Sequence, residues 1–197
     1  KVRYKQTAIG VMWAIFQPFI TMVIFSIFFG VLLKVPSNGV PYPIFVFVCL
    51  LLWQFFSSSL NSASGSLSSN QGMLTKVYFS RLILPISSTL TNFFDFLISS
   101  SILVLLMAYF KYIPNLAGLW ILPLLLVITF MIAIGAGMFL ASINIKYRDL
   151  RYALPYFMQM LLFVTPVIYP PSILEKYSWV MAINPMTGVI KAARSAI

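Results

Sequence analysis

The chain has 197 residues; 61% are hydrophobic and 8% charged, with 13 Lys or Arg, 3 Asp or Glu and no His. A soluble domain carries about 25% charged residues and could not cover its surface with so few, while a disordered chain would lack this apolar and aromatic content. What remains is an all-α protein that crosses a membrane several times. The net charge of +10 suits basic residues at the inner ends of spans better than a nucleic-acid surface. Cys49 is the only cysteine, which excludes an intrachain disulfide and a thiolate metal cluster. Without His, the commonest metal ligand and general base is absent. No catalytic, cofactor-binding or metal residue is therefore expected.

The first span is expected from about Ala8 to Leu33, an uncharged run after Lys1-Val2-Arg3-Tyr4-Lys5 that is too long for a signal peptide. Pro36, Asn38, Gly39 and Pro41 then mark a turn. The second span is expected over about 43–64. A polar stretch with Asn70, Gly72, Lys76 and Arg81 leads to the third, about 84–110. Lys111 to Asn115 is a second turn. The fourth span covers about 119–143, the charged loop Lys146 to Arg151 follows, and the fifth covers about 153–169. The whole of 1–197 reads as one domain.

Loop charge orients these spans. With the N-terminus cytoplasmic, the inner segments hold Lys1, Arg3, Lys5, Lys76, Arg81, Lys146, Arg148 and Arg151, and the outer loops before residue 170 hold Lys34 and Lys111. Eight against two is a positive-inside bias. The remaining segment, 170–197, becomes an outer hairpin of two short re-entrant or interfacial helices. Ser172 and Glu175 fit a capping box, and Asn184-Pro185 fits a second helix start. Five spans followed by this hairpin predict a sixth span missing from a fragment.

Three polar segments are candidates for function. In the third span Ser88, Thr91, Asn92, Asp95 and Ser99 fall at helical spacing, with Asp95 near the membrane middle. A central Asp costs about 3 kcal/mol on an insertion scale, so it should face protein or water. The face is either the wall of a path or relay, or a hydrogen-bonded contact between helices. Between Ser57 and Asn70, eight of fourteen residues are Ser; they either line a wet lumen or let helices pack closely, as do Gly135 and Gly137. The third is the inner loop. Asn70 can cap a short helix, Leu74 and Val77 can give it an apolar side, and Tyr78-Phe79 can fill a partner's groove. Alternatively Lys76 and Arg81 only anchor the spans. The 32 aromatics (18 Phe, 10 Tyr, 4 Trp) are expected mostly at lipid and interfaces, with a minority able to stack on sugar rings in a channel.

No Gly-x-x-x-x-Gly-Lys-Ser/Thr occurs, so a phosphate-cradling loop for ATP would have to come from another subunit. Lys1-Val2-Arg3-Tyr4-Lys5-Gln6-Thr7 with Gly10, Trp13 and Gln17-Pro18, the stretch Lys76 to Pro85, Asp95, Tyr147-Arg148-Asp149, Thr165 to Pro170 and Asn184 to Gly188 together resemble the permease subunit of type-2 ABC exporters that move O-antigen, capsular polysaccharide or teichoic acid. The resemblance spans nearly the whole chain in order and spacing. Ser80 departs from it, since a Pro is usual before that Arg.

The resemblance implies a multi-pass protein of the cytoplasmic (inner) membrane, paired with a second copy of itself and with two nucleotide-binding ATPase subunits that carry ATP and magnesium. The substrate would be a lipid-linked polysaccharide. Asn70, Leu74, Lys76, Val77, Tyr78, Phe79 and Arg81 would couple to the ATPase, beside the second inner loop of Tyr147, Arg148 and Asp149. Pro166, Tyr169, Asn184 and Pro185 would belong to an outer gate. The rival expectations are a drug, haem or small-lipid exporter of the same superfamily, an intramembrane enzyme on polyprenyl-phosphate lipids, and a secondary transporter or channel.

The orientation predicts that, in a Cys49→Ser background, a cysteine introduced at Ser37 reacts with an impermeant maleimide on intact cells. Reaction only after permeabilisation would reverse the topology.

Overall fold

The computed structural model describes residues 12–32, 40–74, 80–112, 116–147, 149–167 and 184–196. Among these residues all regular structure is helical. Helix α1 (Met12–Phe25) continues into a wider π-helical segment, Ser26–Leu32. It is followed by α2 (Tyr42–Ser69), the single turn α3 (Gln71–Leu74), α4 (Ile83–Tyr109), α5 (Leu116–Lys146), α6 (Leu150–Val164) and α7 (Pro185–Ser195). The turn at 34–39, the inner loop residues Lys76 to Phe79, Arg148, Tyr169 and the capping box at Ser172 lie outside the described residues.

Three helices are long and apolar enough to cross a membrane: Tyr42–Ser69, Ile83–Tyr109 and, within α5, Trp120–Lys146. Two shorter apolar helical stretches, Phe16–Gly30 and Leu150–Val164, complete the set. The second span is longer than its expected 43–64. The serine-rich tail stays helical to Ser69 with its polar groups satisfied locally: Asn61 Nδ2, Ser66 Oγ and Ser68 Oγ all donate to carbonyls three or four residues back. The fifth is shorter than its expected 153–169. Thr165 turns to extended backbone (φ −78°, ψ 136°) ahead of Pro166, as the residue before a proline prefers. Fifteen residues rise about 22 Å, less than a core of about 30 Å.

Helix α2 is the hub. Its Ile44–Trp53 stretch is buried throughout, and α1, α4, α5, α6 and α7 all pack against the helix. A four-ring cluster fastens three helices: Phe55 of α2 packs on Phe93 and Phe96 of α4 and on Phe130 of α5, at centroid distances of 5.5–6.4 Å. Two turns further along, small residues let α5 approach closely. A Cβ added at Gly137 would sit 2.7 Å from Ala63 Cβ. Near this seam buried Asn144 donates to Ser64 O at 3.0 Å. Gly135, in contrast, is exposed with no atom within 4 Å of the position its Cβ would take, so only one of the two glycines is a packing position.

Helix α4 has the reverse of a soluble amphipathic helix. It buries Thr89, Asn92 and Ser99, and exposes Leu90, Phe94, Leu97, Val104 and Leu105. That is the arrangement expected where lipid replaces water. It ends with Lys111 at φ 52° and Tyr112 N donating to Met107 O at 3.0 Å, a left-handed helix stop.

The Gly137 contact predicts that Gly137→Val lowers the thermal midpoint of the detergent-solubilised protein, by about 1–3 kcal/mol of overpacking, whereas Gly135→Ala has little effect. Equal midpoints for Gly137→Val and wild type would show that the α2–α5 seam is loose.

Candidate functional site

Asn184-Pro185 starts a helix as expected, and its position is decided by packing. Asn184 is buried, accepts Met186 N on Oδ1 at 3.0 Å, and Pro185 occupies the first helical position without needing an acceptor. The Asn184 side-chain nitrogen donates to Thr165 Oγ1 at 2.7 Å, and that hydroxyl donates to Leu161 O at 2.6 Å. Asn184 thus links the start of α7 to the end of α6.

The other end of α7 is pinned too. Arg194 donates through Nη2 to Val167 O at 2.9 Å and through Nε to Cys49 Sγ at 3.3 Å, and its guanidinium lies 4.2 Å from the centroid of the Phe45 ring. Beyond it, Gly118 at the start of α5 abuts the Ala196 backbone. At its beginning α7 borders a groove that it shares with Phe56 and Leu60 of α2; at its end it meets Cys49 and Phe45. Cys49 and Phe56 are about 10 Å apart along α2. Helix α7 therefore lies antiparallel beside α2, along the stretch from Phe56 to Cys49. Its Met186, Val189, Ile190 and Ala193 are buried, and its polar start is tolerable there because protein satisfies it.

Of the outer residues singled out, Pro166, Asn184 and Pro185 come together around this joint. Tyr169 lies outside the described residues. Thr165, Arg194 and Cys49 were not anticipated as a group. Arg194 falls in the expected outer hairpin, and no sequence spacing connects it with a cysteine 145 positions earlier.

In α4, Asn92 and Ser99 lie in the buried seam, Ser88 and Asp95 are half-buried, and Thr91 at the edge of the face is exposed. The hydroxyls of Ser88, Thr91 and Ser99 donate to carbonyls of their own helix at 2.9 Å each. Their hydrogens are thus committed, and what they offer a neighbour is an oxygen acceptor.

Asn70 closes α2, with its backbone N–H donating to Leu67 O at 3.3 Å. Its Nδ2 donates back to Ser66 O at 2.8 Å. Leu74 is the last residue of α3, and Arg81 is exposed just before α4. At the end of α5 Lys146 lies 5.4 Å over the Tyr147 ring. Exposed Asp149 occupies the residue before α6 without a side-chain capping bond. Asn61, Ser62, Ser66, Asn70, Ser87, Ser88 and Arg151 line a polar pocket of about 360 Å³ between α2, α4 and α6. Part of the serine-rich stretch therefore faces a cavity, while Ser59 and Ser64 are buried in helix packing. Among the described residues no three His, Cys, Asp or Glu side chains gather.

Helix α6 presents Tyr152, Tyr156 and Phe163 on one exposed side, at spacings of four and seven.

The ABC-2 type transporter family matches the chain over residues 1–197. Among similar proteins is the O-antigen export system permease protein RfbA of Myxococcus xanthus, 31% identical over 194 residues, which cover 96% of this chain and 73% of that protein. The protein of the same name from Klebsiella pneumoniae is 26% identical over 195 residues, 98% of this chain and 74% of that one. The polysialic acid transport protein KpsM of Escherichia coli is 24% identical over 206 aligned positions, 100% of this chain and 77% of that one.

The joint predicts that Asn184→Ala and Thr165→Val each cost about 1–2 kcal/mol, and that the double variant costs less than their sum by about 1 kcal/mol. Chemical denaturation in detergent measures all three. Strict additivity would mean that the 2.7 Å contact carries no energy.

Proposed function

We propose, from the premise that this chain belongs to the ABC-2 type transporter family, that it is the membrane subunit of an exporter that moves a lipid-linked polysaccharide across the cytoplasmic membrane. The observation that carries the reading is the match over at least 96% of the chain to permeases named for two different polymers, O-antigen and polysialic acid. A path shared by such polymers must read features common to them, namely a succession of sugar rings. The exposed ladder of Tyr152, Tyr156 and Phe163 fits that need, because flat aromatic faces stack on the apolar faces of sugar rings without selecting one hydroxyl pattern.

In this reading the chain contributes five spans with the N-terminus cytoplasmic, two copies enclose the path, and a separate ATPase subunit carrying ATP and magnesium docks beneath each. The segment from Asn70 to Arg81 receives the ATPase, and Tyr147 to Arg151 lies beside it. Helix α7 with Thr165, Pro166 and Tyr169 forms the outer gate. Pinning at both ends supports this role, since a helix tied to α6 through Asn184 and Arg194 shifts when α6 shifts. Asp95 and the α4 seam hold helices together, so Asp95→Asn keeps more export than Asp95→Leu.

Deletion of the gene in its host tests the reading. The expected result is loss of a surface polymer with intracellular build-up of its lipid-linked form, restored by the wild-type chain. Tyr152→Ala with Tyr156→Ala should restore at most about a tenth of export at equal membrane abundance. Normal surface polymer in the deletion strain would sink the proposal.

A further inference from the structure

An apolar groove of about 530 Å³ separates α5 from α6, lined by Leu60 of α2, Ala136 of α5 and Ala153, Leu154, Phe157 and Leu161 of α6. It begins at Leu150, in the first turn of α6, and is stopped at the far end by Asn184 and Pro185. From Leu150 to Leu161 is about 16 Å along the helix, the depth of one leaflet in a core of about 30 Å. The volume holds about eighteen groups the size of a water or methylene at about 30 Å³ each. Those dimensions fit one acyl chain, and fall short of the longer, branched chain of a polyprenyl carrier.

The polar pocket adjoins the groove. Leu150 lines the one and Arg151 the other; on α2, Leu60 lines the one and Asn61 the other. The pocket holds one cation and no carboxylate. Asn61 and Asn70 each commit a side-chain N–H, and Ser66, Ser87 and Ser88 their hydroxyl hydrogens, to backbone carbonyls at 2.7–3.0 Å. Their oxygens are left as acceptors. A matching head group has a phosphate for the Arg151 donors and its own hydrogen-bond donors for the surrounding oxygens. Ethanolamine and glycerol head groups have both; choline has no such donor.

We propose that α2 and the first turns of α6 hold one glycerophospholipid of the ethanolamine or glycerol type, with an acyl chain in the groove and the phosphate at Arg151. The proposal rests on span geometry and lining chemistry, and stands whether or not the exported substrate is a polysaccharide. The lipid would fill the space between α5 and α6 that side chains leave, so α6 would be seated partly on lipid.

The test is native mass spectrometry of the detergent-purified transporter, titrated with phosphatidylethanolamine, phosphatidylglycerol and phosphatidylcholine of one acyl composition. The expected result is one ethanolamine or glycerol lipid per copy, with the choline lipid at least about tenfold weaker. Arg151→Gln should weaken retention about tenfold, and Ala153→Trp, which fills the groove, should abolish it. If Ala153→Trp does not assemble, phosphatidylethanolamine with a diazirine in its acyl chain decides on the wild-type protein, by labelling peptides that contain Ala136 and Leu154 in preference to Val104 and Leu105 of α4. Equal retention of all three lipids, no effect of Arg151→Gln, or labelling spread equally over α4 would overturn the proposal. So would displacement of the phospholipid by an equal concentration of polyprenyl diphosphate, which would assign the groove to the carrier.

Discussion

Lipid hydrocarbon offers no water to drive apolar helices together, so a helix can occupy the centre of this protein only by packing more closely than lipid does or by hydrogen bonding. Helix α2 does both. Its first half, from Ile44 to Trp53, is enclosed by large side chains, and Phe55 nests among three other phenylalanine rings. Its second half replaces bulk with small residues, so that Gly137 approaches Ala63 and Asn144 reaches the Ser64 carbonyl. Helices α4, α5 and α6 each pack against this helix more than against any other, and α7 packs on α5 as well as on α2.

The same scarcity of water explains the joint at α7. A helix that starts within a span leaves backbone N–H groups that cost several kcal/mol each if unmet. Asn184 Oδ1 meets one and Pro185 removes another. The amide nitrogen of Asn184 then needs its own acceptor, supplied by Thr165, whose hydroxyl passes the bond on to Leu161 O. Arg194 solves the converse problem. Its charge is held by a carbonyl, a sulfur and an aromatic face instead of bulk water. Helix α6 can be short because the turn Thr165 to Val167 is bonded from both ends of α7.

A division runs along α2 between dry and wet ends. Toward Tyr42 its neighbours are apolar, with Arg194 as the exception. Toward Ser69, amides and hydroxyls bond back to the helix and leave oxygens facing a pocket beside Arg151. Small residues in that half therefore do two jobs: Ser64 permits close packing against α5, while Ser62 and Ser66, on the opposite side of the helix, border a cavity.

The sequence by itself determined the class, the helical character and the approximate place of every apolar helix, because hydropathy over about twenty residues is a local quantity. It also located the Asn184-Pro185 helix start, since capping depends on adjacent residues. Lengths at the ends of α2 and α6 escaped it: one helix runs on through the serine-rich stretch to Ser69, and the backbone bias ahead of Pro166 ends the other. Tertiary structure alone decided which side of each helix meets protein. Periodicity grouped Thr91 with Asn92, yet only Asn92 is buried, and the paired glycines differ in that Gly137 faces Ala63 while Gly135 faces outward. Nor could spacing join Arg194 to Cys49 and Val167, or Asn144 to Ser64. In a membrane almost every helix surface is apolar, so hydrophobicity ceases to mark the inside, and only the close approach of particular small and polar side chains reveals it.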